Sequence, residues 1–296
     1  MQVLIGMGLT ALVVACATEP DPPPPPPPPQ PLSDVILYGA APVGGQSVIV
    51  QIQYDGSERT ELTSPVFSAR NPSVSPDGLT IAVTVAGDIW LKAVGSEVFE
   101  TNLTNSAAAD RDAAWSPHGL RIAYSSEQNS NFDIHVMTVD GADDIRLTTD
   151  PGQDFVPSWS PDGIRLAFNS DRAGNVDIYA INADGSGGLM NLTNDPASDT
   201  SPAWSHDGSV IAFASDRSPA VFLHQLFLMD ADGGNPRLIL DREGAFMPAW
   251  SPGDSLLAFA GRGPNRLQIF LTDTMGSTPR QITTDTLDNV DPTFSP

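Results

Sequence analysis

A phrase related to Trp-Ser-Pro-Asp-Gly recurs along this 296-residue chain at nearly constant spacing. Successive copies are separated by 41 to 46 residues. Each copy begins with an aromatic residue or, in the first, with valine, at Val74, Trp115, Trp159, Trp204, Trp250 and Phe294. A constant period in this range is typical of folds built from stacked supersecondary units. The repeat therefore limits the chain to a repeat architecture.

Each repeat contains four short strand signals in the same order. In the third unit these are the phrase ending at Trp159, then Leu166-Ala167-Phe168, Asp177-Ile178-Tyr179 and Leu192-Thr193. The Ser-Pro-Asp-Gly turn after the first strand has proline and glycine where a tight turn needs them. The large-small-large second strand directs bulky side chains to one neighbouring sheet and alanine to the other. Four strands in about 44 residues indicate a β-propeller blade, and hence an all-β chain.

The two ends of the chain predict how the ring of blades closes. Residues 36–63 supply second, third and fourth strands without a first, and residues 291–296 supply a first strand without the other three. Pairing 291–296 with the strand at 35–40 completes one blade and leaves no inner sheet edge unpaired. We therefore predict a six-bladed propeller of four-stranded blades over residues 34–296.

These phrases resemble the repeat of TolB-type, WD-like β-propellers, in which an Asp precedes P-x-W-S-P-D-G and the elements I-A-F, S-D-R, D-I-Y, D-G and L-T follow. Residues 154–193 match nearly every element, and the similarity extends over about residues 34–296. TolB-type proteins carry an α/β domain ahead of the propeller, and we expect none here. The resemblance implies a propeller that binds a periplasmic or outer-membrane protein, such as a peptidoglycan-associated lipoprotein.

The sequence contains no motif of the common catalytic or cofactor-binding classes. Nucleophile-elbow, H-E-x-x-H, Walker and dinucleotide-binding patterns are absent. Two of the four histidines fall in the second unit and two in the fourth, at turns and in or beside third strands, which favours surface or packing roles over zinc binding. We therefore expect no enzymatic activity and no resident cofactor, with a calcium ion in the central channel as the alternative.

Acidic residues recur five positions before the repeat tryptophan in three consecutive units. We expect this position to lie in the loop that enters the innermost strand, at the mouth of the central channel, with the loops between second and third strands on the same face. The candidate binding face consists of Asp110, Asp154, Asp199, Glu243, Asp171, Arg172, Asp216 and Arg217. In the alternative interpretation, the aspartates cap turns or pair with the arginine of a neighbouring blade.

The first 33 residues have the composition of an export and anchoring segment. Residues 3–15 form an apolar run too short to span a membrane, as expected of a signal peptide over residues 1–15. The run leads to Cys16, in a context that resembles the lipobox of bacterial lipoproteins, where the cysteine is acylated. Residues 16–33 form a linker whose proline run at 22–29 favours an extended spacer. Cys16 is the only cysteine, which excludes a disulfide within the chain.

The net charge of −22 argues against nucleic acid and against adsorption to anionic lipid headgroups. The leading interpretation is a non-enzymatic, monomeric lipoprotein, periplasmic and attached to the outer membrane, whose propeller binds an envelope protein or peptide. A calcium-dependent propeller enzyme, such as a lactonase or lyase, is the first alternative. The second is a glycan-binding module that uses Phe155, Phe222 and Phe246 as exposed aromatic residues.

Overall fold

The computed structural model describes residues 30–128, 130–217, 223–242 and 244–296. The predicted signal peptide, Cys16 and the proline run at 22–29 lie outside these ranges. Within them the only helix is a short 3₁₀ helix, Pro65–Phe67, and no helix is long and apolar enough to cross a membrane. The strands are, in chain order, β1 (Val35–Ala41), β2 (Val48–Gln53), β3 (Thr60–Glu61), β4 (Arg70–Val74), β5 (Thr80–Val85), β6 (Asp88–Ala93), β7 (Thr101–Asn102), β8 (Ala109–Trp115), β9 (Arg121–Gln128), β10 (Asn131–Thr138), β11 (Ile145–Arg146), β12 (Asp154–Trp159), β13 (Arg165–Ser170), β14 (Asp177–Asn182), β15 (Met190–Asn191), β16 (Asp199–Trp204), β17 (Val210–Ser215), β18 (Gln225–Asp230), β19 (Arg237–Leu240), β20 (Ala245–Trp250), β21 (Leu256–Arg262), β22 (Leu267–Asp273), β23 (Arg280–Gln281) and β24 (Asp288–Phe294).

The strands form six four-stranded antiparallel sheets, the blades of a propeller. Four consecutive strands make each of blades 1 to 5, which are β4–β7, β8–β11, β12–β15, β16–β19 and β20–β23. The remaining sheet, the closing blade, has the order β24-β1-β2-β3. In every blade the first strand of the repeat is innermost, so the six repeat phrases surround one axis.

The last strand of the chain completes the closing blade. Phe294 lies opposite Ile36 in the antiparallel ladder between β24 and β1. The Ser295 amide donates to the Val35 carbonyl at 2.9 Å, and the Val35 amide donates to Ser295 Oγ at 3.1 Å. The predicted all-β, six-bladed propeller, closed by its C-terminal strand, is thereby confirmed.

The second strand of each blade is packed between two neighbouring sheets. In blade 3, Leu166 and Phe168 join Trp159 in a core shared with blade 2. Ala167, between them in sequence, belongs instead to the core shared with blade 4. Burial of each large side chain contributes about 1.5–3 kcal/mol, while alanine allows the next sheet to approach closely. The large-small-large pattern is therefore a packing device that stacks blades.

Tryptophan side chains also bond successive blades to one another. The Trp159 indole Nε1 donates to the Ala114 carbonyl of blade 2 at 3.0 Å. The Trp250 indole donates in the same way to the Ala203 carbonyl of blade 4 at 2.9 Å. A buried indole needs such a partner for its N–H, so Trp159 and Trp250 act as both core residues and donors between blades.

The described end of the predicted linker packs on the turn of blade 1. The Leu32 amide donates to the Gly78 carbonyl at 2.9 Å, and the Leu32 side chain is buried with Val35 and Ile81. Gly78 has a φ of +71°, and a Cβ there would lie 2.9 Å from the Leu32 carbonyl oxygen. Glycine is therefore required at this turn both by conformation and by the close approach of the linker.

Candidate functional site

The innermost strands of all six blades line an open funnel of about 580 Å³. In blade 3 its wall extends from Val156, in the middle of β12, to Pro161 in the turn that follows. We call the end of the propeller that carries these turns the turn face. The other end, the loop face, carries the loops between second and third strands. The funnel opens on the turn face.

The neck of the funnel is a ring of six residues with left-handed backbone, each three positions before the repeat aromatic. Their φ angles lie between +49° and +57°. At each of them the ladder between the first and second strands shifts register, as in a β-bulge. The neck residues are Asn71, Asp112, Val156, Ser201, Met247 and Asp291.

Side chains of the preceding blade hold these bulges in place. Ser125 Oγ accepts a hydrogen bond from the Val156 amide at 3.2 Å, and Asn169 Oδ1 accepts one from the Ser201 amide at 2.9 Å. A left-handed backbone is unusual for a β-branched residue such as Val156 and costs about 1–3 kcal/mol. The bonds from the neighbouring blade help to offset this strain, which clusters where a binding site is expected.

One sector of the neck, which we call the acidic sector, consists of two aspartates with an asparagine between them. Asp291, Asn71 and Asp112 occupy consecutive blades, from the closing blade to blade 2. Burial, reinforced by the negative charge of Asp112 and opposed by Arg70, raises the pKa of Asp291 to about 7. Burial also raises the pKa of Asp112, although the Arg111 guanidinium 3.4 Å away lowers it. The acidic sector therefore holds two buried carboxyl groups whose charged forms the neighbouring arginines do not fully stabilise.

Replacing Asp291 with asparagine is expected to stabilise the protein above pH 7 and to have little effect near pH 4. Asp291 takes up its proton near pH 7 in the folded state but near pH 4 in the unfolded chain. The folded state thus binds more protons between these values, so the free energy of unfolding falls as pH rises through this interval. Because asparagine does not titrate, the variant avoids this decrease, and its free energy of unfolding above pH 7 is higher by up to about 4 kcal/mol. Asparagine also tolerates the left-handed backbone at this position.

The measurement is urea unfolding of both proteins at acidic and mildly alkaline pH. Asp143→Asn is the matched control, because Asp143 also has a left-handed backbone, with φ +47°, but is exposed. An Asp291→Asn effect of equal size at both pH values would contradict the assignment.

Two of the other three neck residues and part of the rim are apolar. Val156 and Met247 face the acidic sector across the ring of blades. On the turn face, Leu79, Leu120 and Ile164 follow the turn glycines of blades 1 to 3 and are 36%, 67% and 58% exposed. Blades 4 and 5 have serine at the corresponding positions. Leu79, Leu120 and Ile164 thus form an exposed apolar arc on the turn face, next to the turns that line the funnel.

The structure places Asp154 and Asp199 inside the protein, as the first residues of β12 and β16 and not in loops. Both side chains are fully buried. Arg172 Nη2 donates to the two oxygens of Asp154 at 2.6 and 2.8 Å, and Arg217 Nη2 donates to Asp199 Oδ2 at 2.7 Å. Each arginine belongs to the same blade as its carboxylate, in contrast to the expected pairing between neighbours. Burial nevertheless raises the pKa of both carboxyl groups.

The other predicted face residues also lie toward the loop face. Asp110, in β8, is buried and accepts a hydrogen bond from Ser106 Oγ at 3.0 Å. Asp171 and Asp216 each accept a 2.7 Å bond from a backbone amide of the loop that enters the same blade. Glu243 lies outside the described residues, as does Phe222. These carboxylates thus make internal contacts at the end of the propeller opposite the funnel, and their use in binding stays a prediction.

The neck escaped the sequence prediction because its six residues share no chemical type. The signal that could have revealed it is positional: a fixed spacing from the repeat aromatic, followed by proline in five of the six units. A left-handed backbone at Val156 or Met247 is not readable from those residue types, since it arises from the bulge and from the neighbouring blade.

The neck by itself supplies only part of a calcium coordination shell. The described residues contain no group of three or more His, Cys, Asp or Glu that could hold a metal ion. The neck offers two carboxylates and the amide of Asn71, whereas calcium takes six to eight oxygen ligands. Water or a partner would have to supply the rest, and calcium binding stays a prediction.

The sequence profile of the TolB beta propeller domain matches residues 71–188 and 152–296, which together are more than half of the chain. No curated protein sequence matches the chain.

Solved structures with a similar fold include two TolB proteins and a lyase. TolB from Acinetobacter baumannii is 22% identical, with a TM-score of 0.76, over 89% of this chain and 67% of that chain. TolB from Agrobacterium tumefaciens is 20% identical, with a TM-score of 0.70, over 85% and 90%. An oligogalacturonate lyase in complex with manganese is 12% identical, with a TM-score of 0.62, over 86% and 76%. At these identities the likeness shows a shared fold, which occurs in enzymes as well.

Proposed function

This chain belongs to the TolB beta propeller domain family, and we propose that it is a non-enzymatic protein-binding scaffold of the bacterial cell envelope. The observation that carries the proposal is the funnel on the turn face, which has an acidic sector at its neck and an exposed apolar arc beside the turns that line it. Clefts lined by a few polar groups in a mainly apolar wall are the usual form of binding sites. The funnel wall consists of strands, so it presents a preformed surface.

The chemistry of the funnel favours a protein segment that ends in a positive charge. Asp112 and Asp291 are held where burial disfavours their charged forms, and a cation brought by a partner would restore the charged forms. Leu120 and Ile164 at the rim offer apolar contact for the same segment. We therefore propose an envelope protein or peptide that inserts a lysine, arginine or free amino terminus into the neck.

A photo-crosslinking amino acid at position 120 tests this proposal in the full-length protein in its own cell envelope. We expect a covalent adduct with an envelope protein, reduced at least tenfold when Asp112→Asn and Asp291→Asn are combined, because the partner loses about 1.4 kcal/mol or more. The control position is Val43, which is 68% exposed, as Leu120 is 67% exposed, but lies in the loop between β1 and β2 on the loop face.

Three other outcomes would count against the proposal. Adducts at position 43 without adducts at position 120 would indicate that the binding surface is on the loop face. Adducts that persist in the double asparagine variant would contradict a cationic contact at the neck. If calcium stabilises the wild-type protein against unfolding but does not stabilise the double variant, and no adduct forms, the metal-dependent alternative would be favoured.

We further propose that Cys16 carries a lipid anchor that holds the propeller at the outer membrane, facing the periplasm. The support is the apolar run that leads to Cys16 and the contact of Leu32 with the turn of blade 1, which joins the linker to the turn face. Stable anchoring takes two acyl chains or more, each buried CH₂ contributing about 0.8 kcal/mol. Cys16→Ser is expected to move the protein from the membrane to the soluble fraction on fractionation. A membrane fraction equal to that of the wild type would contradict the anchor.

A further inference from the structure

An arginine lies over the ring of the third strand in three consecutive blades. In blade 3, Arg172 Cζ is 5.0 Å from the centre of the Tyr179 ring, and in blade 4, Arg217 Cζ is 5.2 Å from that of Phe227. In blade 5, Arg242 Cζ is 4.0 Å from the centre of the Phe270 ring. The three rings are equivalent, since each is opposite the phenylalanine of the second strand.

Blade 5 keeps this cation but lacks its carboxylate. Ala245 occupies the position that Asp154 and Asp199 hold in blades 3 and 4, and it is fully buried as they are. Gly261 stands where Ser170 and Ser215 accept a bond from the arginine Nε. The arginine itself comes from another place in the chain, the loop that enters β20. Blade 5 has thus exchanged a closed ion pair for an arginine alone.

Arg242 makes no ion pair with the described residues. Its Nη2 donates to the Arg262 carbonyl at 2.7 Å. Its Nε is buried and has no hydrogen-bond partner in the described part of the chain. Burial lowers the pKa of this arginine, and no carboxylate of the described residues raises it. A partly buried guanidinium without an anion among the described residues is unfavourable, and it is unexpected in a protein of net charge −22.

A second nitrogen beside Arg242 is also unpaired. His224 Nε2 is buried without a partner among the described residues, and the His224 carbonyl accepts the amide of Ala245 at 3.0 Å. The backbone of His224 is therefore next to the position of the missing carboxylate. The side chain of Arg262, whose carbonyl binds Arg242, is exposed. The Arg242 guanidinium and the backbones of Arg262 and His224 thus lie at one corner of the loop face.

We propose that this corner of blade 5 is a binding site for a carboxylate supplied from outside the chain, with Arg242 as its principal donor. The carboxylate takes the role that Asp154 and Asp199 have in blades 3 and 4, where one arginine nitrogen binds the carboxylate at 2.6 to 2.8 Å. The guanidinium of Arg242 is held in place over Phe270, so little side-chain entropy is lost on binding. The site lies at the opposite end of the propeller from the funnel and does not depend on the function proposed for it.

Thermal unfolding of the full chain with added sodium acetate tests the proposal, with sodium chloride and sodium phosphate at equal ionic strength as comparisons. Acetate at ten times its dissociation constant is expected to raise the Tm by about 3 °C. Arg242→Gln is expected to abolish this increment. Arg237→Gln, the same change at an exposed arginine on β19, is expected to retain it.

Ala245→Asp is the complementary variant, because it restores the internal carboxylate of blades 3 and 4. Ala245→Asp is expected to raise the Tm in the absence of acetate and to remove the response to acetate. This variant tests the proposal even if Arg242→Gln folds poorly. A peptide with a free C-terminal carboxylate, compared with its amide, distinguishes a peptide terminus from a small free acid as the source of the carboxylate, and the amide is expected to have no effect.

The proposal is overturned if acetate does not stabilise the wild type beyond chloride, or if Arg242→Gln responds as the wild type does. Equal increments with acetate and phosphate would overturn the assignment to carboxylates. An acetate response that persists in Ala245→Asp would place the anion elsewhere.

Discussion

Deletion of residues 291–296 is expected to lower the free energy of unfolding by at least about 3–5 kcal/mol, the usual cost of removing one buried phenylalanine. The deletion removes Phe294, which is buried, pairs with Ile36 and contacts the Tyr54 ring edge to face at 5.2 Å. It also removes the bonds between Ser295 and Val35 and leaves Ile36 and Leu37 of β1 unpaired at the inner edge of the closing blade. An unpaired strand edge inside the ring exposes backbone donors and invites association with other chains.

Denaturant unfolding of the full and shortened chains measures this effect, and size-exclusion chromatography monitors association. Deletion of Pro296 alone is the control, since that residue is exposed and follows the last strand. Equal unfolding midpoints for the wild type and the six-residue deletion would contradict the closure of the ring by β24.

Replacement of Arg172 by methionine is expected to cost about 3–5 kcal/mol at neutral pH, because it leaves a buried charge without its partner. Asp154 is fully buried, and Arg172 donates to both of its oxygens. Burial already raises the pKa of Asp154, and loss of the guanidinium would raise it further. The unpaired carboxyl group then takes up a proton as pH falls, so the penalty is expected to shrink toward acidic pH.

Urea unfolding at several pH values measures that penalty. The double variant Arg172→Met, Asp154→Leu is the informative comparison, because apolar replacement of a whole buried pair is often nearly neutral. Arg237→Met controls for loss of an exposed arginine. A single variant as stable as the wild type at pH 7, or a double variant less stable than the single one, would contradict the importance of the pair.

The fold could be predicted from the sequence because each feature that determines it can be read from a short stretch of the chain. The spacing of the repeat tryptophans sets the blade length, the Leu166-Ala167-Phe168 pattern sets the stacking of sheets, and the two incomplete ends set the closure. None of these depends on the details of a contact between distant side chains. The structure therefore agrees with the predicted blade count and strand order.

The site was harder to predict because it depends on where side chains point and on the handedness of the backbone. The recurrence of Asp154 and Asp199 identifies a position that matters, but the type of residue does not show whether its side chain faces a partner or an arginine of its own blade. The funnel depends on a change of backbone handedness at Val156 and Met247, which neither residue type favours. Asp291 and Asp112 are 179 positions apart, and only the closed ring brings them into electrostatic contact.

The junction of the linker with β1 has a mechanical consequence. The linker reaches the propeller beside Gly78 and continues directly into β1, which is bonded on one side to β24 and on the other to β2. Hydrogen bonds of an antiparallel ladder are perpendicular to the strands. Tension applied to the N-terminus along β1 therefore acts as a shear shared by two ladders at once, and no edge strand is offered for bond-by-bond peeling. The strand that bears the load, β1, is also bonded to the last residues of the chain. A force that pulls out the N-terminal strand must therefore also break its bonds to the C-terminal strand.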